Sequence, residues 1–362
     1  MTLRVGITGA ERGKRFYDEF SKSDEVKVVG VMDTDESVLE TFQKERSVDY
    51  AVTDYEALLD TGIDIVAIAA PMQFHVQQAV QALDRDIHVL SEVTAALTLD
   101  ECRKLLSAVK RSNAQYMMGE NYCYIPENIC IYNMVQAGLF GDIYYGEGEY
   151  LHDVHDLHHD QYGNETWRKK MQVGRPGITY GTHSLGPVLG WFDENIDNIL
   201  CLGSGESRYK GYKHDDTSTM LCKMSSGALI RIRQDLLSRR PHHMRYYSLQ
   251  GTKGVYEAYR SNHDIHRVWL EDYAPNSQTW QPLSDFFSKY LPFDINELSK
   301  EDDSHWGGDY LMIQDFIRSI VEGKPVTIDV YRALGMTIPG ILSEESISNG
   351  GKTVSMPDIK DW

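Results

Sequence analysis

The chain has 362 residues, 41% of them hydrophobic, enough to bury a sizeable core and to divide into two domains. A formal charge of −18 argues against nucleic acid or an anionic membrane surface as a partner. Cys102, Cys123, Cys130, Cys201 and Cys222 form no C-x-x-C pair, the N-terminus enters a strand with no export-signal pattern, and apolar runs such as 65–70 are too short to span a bilayer. A cytoplasmic protein in a reducing setting is expected.

Residues 3–8 are a short apolar run, as in a strand buried on both faces of a parallel sheet. A turn with Gly9 and Gly13 follows, and a second strand over 26–32 ends at Asp33. Glycines in such a turn let backbone N–H groups approach a pyrophosphate at a helix N-terminus, and an acid about 20 residues on can bind a ribose hydroxyl. A carboxylate there repels a 2′-phosphate, so Asp33 points to NAD rather than NADP. The regular Gly-x-Gly-x-x-Gly spacing needs glycines at 9, 11 and 14, whereas this chain has Gly9, Glu11, Gly13 and Lys14. Either the turn is one residue short or the phosphates sit differently, and the turn alone also reads as a βα corner without a nucleotide.

Strand and helix keep alternating. Strands are expected at 65–70, 87–90 and 115–118, and a helix over 73–83. Another helix opens on the capping box Thr98-x-x-Glu101, with Leu99, Cys102, Leu105, Leu106 and Val109 at helical spacing. Repeated βα units predict a parallel sheet with ligands beyond the carboxyl ends of its strands. Past Asn121 the pattern changes. Pro126 starts a helix that stops at Gly138, and strands dominate from Ile143, including a hairpin of 217–224 and 228–235 around Ser225-Ser226-Gly227. Further strands are expected at 244–250, 255–259 and 267–271. Residues 272–304 are weakly patterned and acidic. Ile313, Phe316, Ile317, Ile320 and Val321 predict a helix ending at Gly323, and a last helix from about Val330 should kink at Pro339.

The expected fold is an α/β Rossmann dinucleotide-binding domain over 1–121. A C-terminal α+β domain with an open, mostly antiparallel sheet follows over 122–362, with C-terminal helices able to pack back on the first domain. An open sheet face needs a cover, and a subunit partner is one way to supply it.

Several residues can carry chemistry. Pro71 and His75 follow one buried strand, and Ser91-Glu92-Val93-Thr94 ends the next. Tyr180-x-x-His183 offers a phenol and an imidazole one helical turn apart, and imidazole can move a proton near neutrality; a histidine satisfied at a helix start is the competing reading. Tyr150 shares a strand face with Gly146 and Gly148, which would leave room for a ligand; a packed tyrosine is the alternative. His152, His155, His158 and His159, with Asp153, Asp156 and Asp160, could supply ligands for zinc or manganese. Their spacing matches no ligand signature, so they read as a polar active-site loop and no metal is assigned. Arg239-Arg240-Pro241-His242-His243 reads as a solvated turn, with contact to a ligand phosphate as the alternative.

The strand ending before Pro71, His75 four residues on, and Glu92 resemble the glucose–fructose oxidoreductase/inositol dehydrogenase (Gfo/Idh/MocA) family. Val93 and Thr94 replace the Lys and Pro of that family's Glu-Lys-Pro motif. The lysine usually meets the substrate hydroxyl, and valine cannot move a proton. Glu92-Val93, Met117-Met118-Gly119-Glu120-Asn121, Trp167-Arg168, Tyr180-Gly181-Thr182-His183-Ser184-Leu185-Gly186-Pro187 and Asp329-Val330-Tyr331 are similar to the NAD-dependent α-N-acetylgalactosaminidase branch. His305-Trp306-Gly307-Gly308-Asp309 also resembles a segment of that branch, with Trp306 where glycine is usual.

The resemblance implies NAD held between the domains by Gly9, Glu11, Arg12, Asp33, Pro71, His75, Glu92, Asn121, Trp167 and Arg168. Tyr150, Arg168 and His305 would contact substrate, and His183, Tyr180 and Tyr150 would be catalytic. The implied activity is an NAD-dependent oxidoreductase taking hydride from a ring carbon of a sugar, C3 by expectation. A redox-neutral glycosidase using oxidation, elimination, hydration and reduction is the alternative, and an inactive nucleotide-binding scaffold is the alternative of another class. The expected partners are a small sugar or glycoside and further copies of the chain through the open sheet.

Overall fold

In a computed structural model the described residues are 2–160, 163–205, 207–241, 244–261, 263–274, 278–301 and 304–362. His242 and His243 of the expected solvated turn lie outside them. The chain forms two compact units, one of residues 1–121, 309–334 and 358–362, the other of 122–308 and 335–357.

The first unit alternates β1 (Leu3–Thr8), α1 (Ala10–Phe20), β2 (Val26–Met32), α2 (Glu36–Glu45), β3 (Tyr50–Val52) and α3 (Tyr55–Leu59). It continues with β4 (Ile65–Ile68), α4 (His75–Leu83), β5 (His88–Ser91), α5 (Leu99–Arg111) and β6 (Tyr116–Met118). The six strands are parallel in the order β3-β2-β1-β4-β5-β6, so the strand order reverses between β1 and β4. Ligands of doubly wound sheets sit at such a reversal. Val5, Ile7, Val29, Val31, Ile65 and Val66 are buried from both sides by helices, which is why these strands read as unbroken apolar runs. Thr98 caps α5 by accepting from the Glu101 amide at 3.2 Å, while the Glu101 carboxylate reaches one residue further back than expected, to the Leu97 amide at 2.8 Å.

The second unit carries α6 (Pro126–Gln136), β7 (Ile143–Leu151), α7 (Trp167–Met171), α8 (Thr182–Phe192), β8 (Ile196–Gly203), β9 (Ser218–Met224) and β10 (Leu229–Asp235). There follow β11 (Arg245–Gly251), β12 (Gly254–Glu257), β13 (Arg267–Leu270), β14 (Gln281–Pro282), α9 (Phe287–Tyr290) and α10 (Ile295–Glu301). The last elements of the chain are α11 (Gly308–Glu322), α12 (Val330–Ser348, running through Pro339) and β15 (Val354–Ser355). Nine strands are ordered β14-β13-β12-β11-β7-β10-β9-β8-β15. Every neighbour is antiparallel except β7 with β10, which makes the sheet mixed. The segment 272–304 holds β14 and two helices of four and seven residues, too short to leave a readable period.

Helix α8 lies across β7. A Cβ on Gly148 would fall 1.9 Å from the Ser184 carbonyl, and one on Gly146 would fall 2.7 Å from Val188. These glycines therefore admit a helix, where the sequence suggested they make room for a ligand. Strand periodicity shows which face needs small residues; it cannot show what approaches that face.

Candidate active site

The first unit presents a nucleotide-binding end. Gly9 caps α1 in a left-handed conformation, φ +79°, and a Cβ there would lie 2.5 Å from the Ala69 carbonyl, so no other residue fits the corner. The Asp33 carboxylate accepts from the Ala10 amide at 2.8 Å and from the Asp35 amide at 3.1 Å. Two carboxylate oxygens offer about four acceptor positions, so capacity remains for ribose hydroxyls. First-turn amides of a helix have no intrahelical partner, and those of Glu11 and Arg12 can take a phosphate. The shortened turn thus keeps the three features that a dinucleotide requires, and the residues fit NAD.

Arg12 joins this end to an acidic pair, the half-buried Glu92 and the buried Asp309. Its Nε lies 2.6 Å from Glu92 Oε1 and its Nη2 3.3 Å from Asp309 Oδ1, while Asn121 Nδ2 donates to the same Asp309 oxygen at 2.7 Å. Burial opposes the guanidinium charge, but the two carboxylates outweigh it and its pKa is raised. Glu11 is paired on the surface with Lys14 at 3.3 Å. Pro71 opens a short turn by accepting from the Phe74 amide at 2.9 Å. His75 is buried with Nδ1 2.9 Å from the Thr94 carbonyl and Nε2 2.8 Å from the Ala70 carbonyl. The imidazole thus sits between the loops after β4 and β5, its single N–H donating to one of the two carbonyls. Val93 is buried.

The second unit gathers aromatic and imidazole rings. Tyr150 ends β7, and its Oη lies 2.9 Å from His152 Nδ1. The His183 ring, in the first turn of α8, stacks on Tyr122 with centroids 4.1 Å apart and 18° between planes. Tyr180 and Tyr150 lie 5.0 and 5.1 Å from it. The backbone is pinned on both sides: Tyr247 Oη donates to the His183 carbonyl at 2.5 Å, and Gln234 Oε1 accepts from the Tyr180 amide at 2.8 Å. Gln234 sits opposite Tyr150 in the parallel β10–β7 register, so one ladder orients two members of the cluster. Tyr150 and His183 are nearly buried, which strengthens any hydrogen bond they make to a substrate.

Trp306 extends the cluster, edge-on to Tyr122 at 6.3 Å with Arg245 over its face at 3.6 Å. His305 and Trp306 are consecutive left-handed residues, φ +43° and +57°. Arg168 stacks on Trp167 at 4.5 Å and reaches Gln172 at 3.3 Å. Sequence reasoning missed Tyr122, Gln234, Tyr247 and Asp309. The β-strand alternation that puts Gln234 on one face was readable, but the stacking of Tyr122 on His183 leaves no mark in either local pattern.

A doubly wound NAD-binding unit and a second unit with a large, open mixed sheet define a Gfo/Idh/MocA-type NAD-dependent enzyme. Residues 3–120 match the family described as oxidoreductase family, NAD-binding Rossmann fold. Residues 124–214 and 203–361 match the glycosyl hydrolase 109 C-terminal domain, and the chain belongs to the glycosyl hydrolase 109 family. It is similar to a glycosyl hydrolase family 109 protein of Solibacter usitatus, 29% identical over 99% of this chain and 88% of the relative. An alpha-N-acetylgalactosaminidase of Shewanella oneidensis is 28% identical over 99% of this chain and 85% of its own. Among solved structures, levoglucosan dehydrogenase in complex with NADH shares the fold at a TM-score of 0.83 and 17% identity, over 99% of this chain and 100% of that one. An oxidoreductase of Agrobacterium radiobacter in complex with NAD+, L-tartaric acid and magnesium gives 0.77 at 15% identity, over 98% of both chains.

Proposed function

We propose that the protein is a redox-neutral, NAD-dependent glycosidase that oxidises a sugar ring carbon, C3, in order to cleave the glycosidic bond. The observation that carries this reading is the packing of His183 against Tyr122, Tyr150 and Tyr180 within one small cluster. The buried Val93 supports it, since a lysine suited to simple alcohol oxidation is absent there.

Bound NAD supplies the hydride acceptor that makes a ketone at C3 and the donor that restores the alcohol at the end. Gly9, the Glu11 and Arg12 amides and Asp33 would hold it, with Arg12 fixed by Glu92 and Asp309. The new ketone acidifies the C2–H bond, because the electron pair left behind is delocalised into the carbonyl as an enolate. The His183 imidazole removes that proton. The enolate then expels the anomeric group from C1, and the Tyr150 phenol, sharing its proton with His152 Nδ1, protonates the leaving oxygen. Tyr180 orients the ring hydroxyls. Water adds at C1 and gives a proton to the Tyr150 phenolate while His183 returns its proton to C2, so both residues are restored and no net oxidation remains. General acid–base steps of this kind contribute about 10²–10⁴-fold each.

The first substrate to try is an aryl N-acetyl-α-galactosaminide, given the relative's name, with other aryl α- and β-glycosides and free sugars beside it. Phenol release without net NADH is expected. NADH accumulation on free sugars makes the protein a dehydrogenase instead, and silence in both assays with no NAD in the purified protein makes it a scaffold. A cytoplasmic location belongs to the same proposal, supported by five free cysteines, four of them buried. So does a homo-oligomer formed through the open sheet, which light scattering checks. Among the described residues no helix is long and apolar enough to cross a membrane.

A further inference from the structure

The segment after β7 holds a cluster that the proposed chemistry does not use. His155 and His158 lie with ring centroids 5.8 Å apart. Tyr212 stands 5.4 and 5.2 Å from the two rings, and Tyr209 stands 4.9 Å from His155. Each imidazole is anchored through Nδ1, His155 to the Asp153 carboxylate and His158 to Tyr212 Oη at 2.8 Å. Both Nε2 atoms are buried and meet no hydrogen-bond partner among the described residues, and His158 is fully buried. A buried polar atom left without a partner costs about 1–3 kcal/mol. Two on neighbouring rings, each ring anchored through its other nitrogen, call for a partner that is not protein.

The surrounding charge identifies it. Lys169 Nζ lies 3.5 Å from the Tyr212 ring centre and the Arg239 guanidinium 5.9 Å from that of Tyr209. Among the described residues Lys169 and Arg168 form no ion pair with a carboxylate, although the chain carries 54 acids against 36 basic residues, and Arg239 lies near enough to Asp153 to help lower its pKa. Burial first, then His155, Lys169, His159 and Arg168, push the His158 imidazole down to about 4, so it is neutral and has one proton to offer. When the Tyr212 hydroxyl is the donor to Nδ1, that proton sits on Nε2. A cation would have to join these positive groups with only two imidazoles to hold it, and no group of three metal-ligating side chains forms among the described residues.

We propose that His155, His158, Lys169 and Arg239 form a binding site for an oxyanion, such as a sulfate, phosphate or carboxylate group, walled by Tyr209 and Tyr212. The His158 Nε2 supplies a directed N–H donor, and the lysine and arginine supply charge.

The test uses the full chain saturated with NADH, so that phosphate cannot report on the dinucleotide turn. Sodium sulfate, phosphate and acetate are titrated against sodium chloride at matched ionic strength, with calorimetry and melting temperature as readouts. Saturable binding of at least one oxyanion is expected, weakened at least fivefold in Lys169→Gln, a partly exposed position where folding is retained, and in His158→Gln. Preference for sulfate and phosphate identifies a tetrahedral ligand; binding of acetate identifies a carboxylate. Oxyanions acting no differently from chloride overturn the proposal, as does wild-type binding in Lys169→Gln. Stabilisation by zinc chloride alone would make the site a metal site instead. None of these readouts depends on glycoside turnover, so the site and the proposed activity stand or fall separately.

Discussion

Arg12 and Asp309 are separated by 297 residues, yet the guanidinium of one lies 3.3 Å from the carboxylate of the other. Asp309 is almost wholly buried and also holds Asn121, so it fixes the turn that carries the dinucleotide amides. Asp309→Asn keeps the shape and the Asn121 contact while removing the charge. It is expected to cost about 1–3 kcal/mol of stability, since Arg12 retains Glu92, and to weaken NADH binding severalfold in a fluorescence titration. Unchanged NADH affinity would show that Arg12 needs only Glu92.

Gly148→Ala places a methyl group 1.9 Å from the Ser184 carbonyl. Helix α8 must then lift from β7, at a cost of about 3 kcal/mol, and His183 moves with it. A lower denaturation midpoint together with lost activity and intact NADH binding is the expected outcome. A variant as stable as the parent would mean that helix and strand are not held at this distance.

His183→Ala should reduce aryl-glycoside cleavage by about 10²–10⁴-fold while leaving NADH affinity unchanged. Deuterium at the carbon next to the oxidised one should wash into solvent with the parent protein and not with the variant. An active variant, or exchange that persists, would remove His183 from the role of base.

Burial holds the imidazoles of His75, His158 and His214 below their ordinary pKa, with His158 near 4. Unfolding releases them to about 6.5, so between these values the unfolded chain binds more protons and stability falls as pH falls. Each contributes a slope of roughly 1.4 kcal/mol per pH unit inside its window. Denaturation midpoints should therefore drop from about pH 6.5 to 5, and His158→Gln should flatten that drop. Identical curves for variant and parent would count against a neutral, buried His158.

What was legible in the sequence was what has a local cause. Gly9, Asp33 and the apolar runs of β1 and β4 each answer to a turn, a spacing or a two-sided burial that a short window contains, and the βα order followed. The closeness of Tyr180 and His183, with ring centroids 5.0 Å apart, is readable because they are three residues apart at a helix start. Asp309 escaped notice as a partner of Arg12 because nothing local distinguishes a buried acid from an exposed one. Gly146 and Gly148 were seen to need space on one face, but the occupant of that space, α8, comes from 40 residues downstream. The aromatic stack on Tyr122 depends on the turn before α6, on β7 and on α8 arriving together, which no periodicity encodes.

The outer edge of β6 is sealed by chain made much later. Ile328 accepts from the Met118 amide at 3.0 Å, and Gln115 bonds Lys324 and Val326 at 2.9 and 3.0 Å. During synthesis the first six strands emerge some two hundred residues before this seal exists. A nascent chain paused between them exposes a raw sheet margin able to recruit another strand, so truncations ending short of residue 324 should aggregate rather than yield a separately soluble nucleotide-binding fragment.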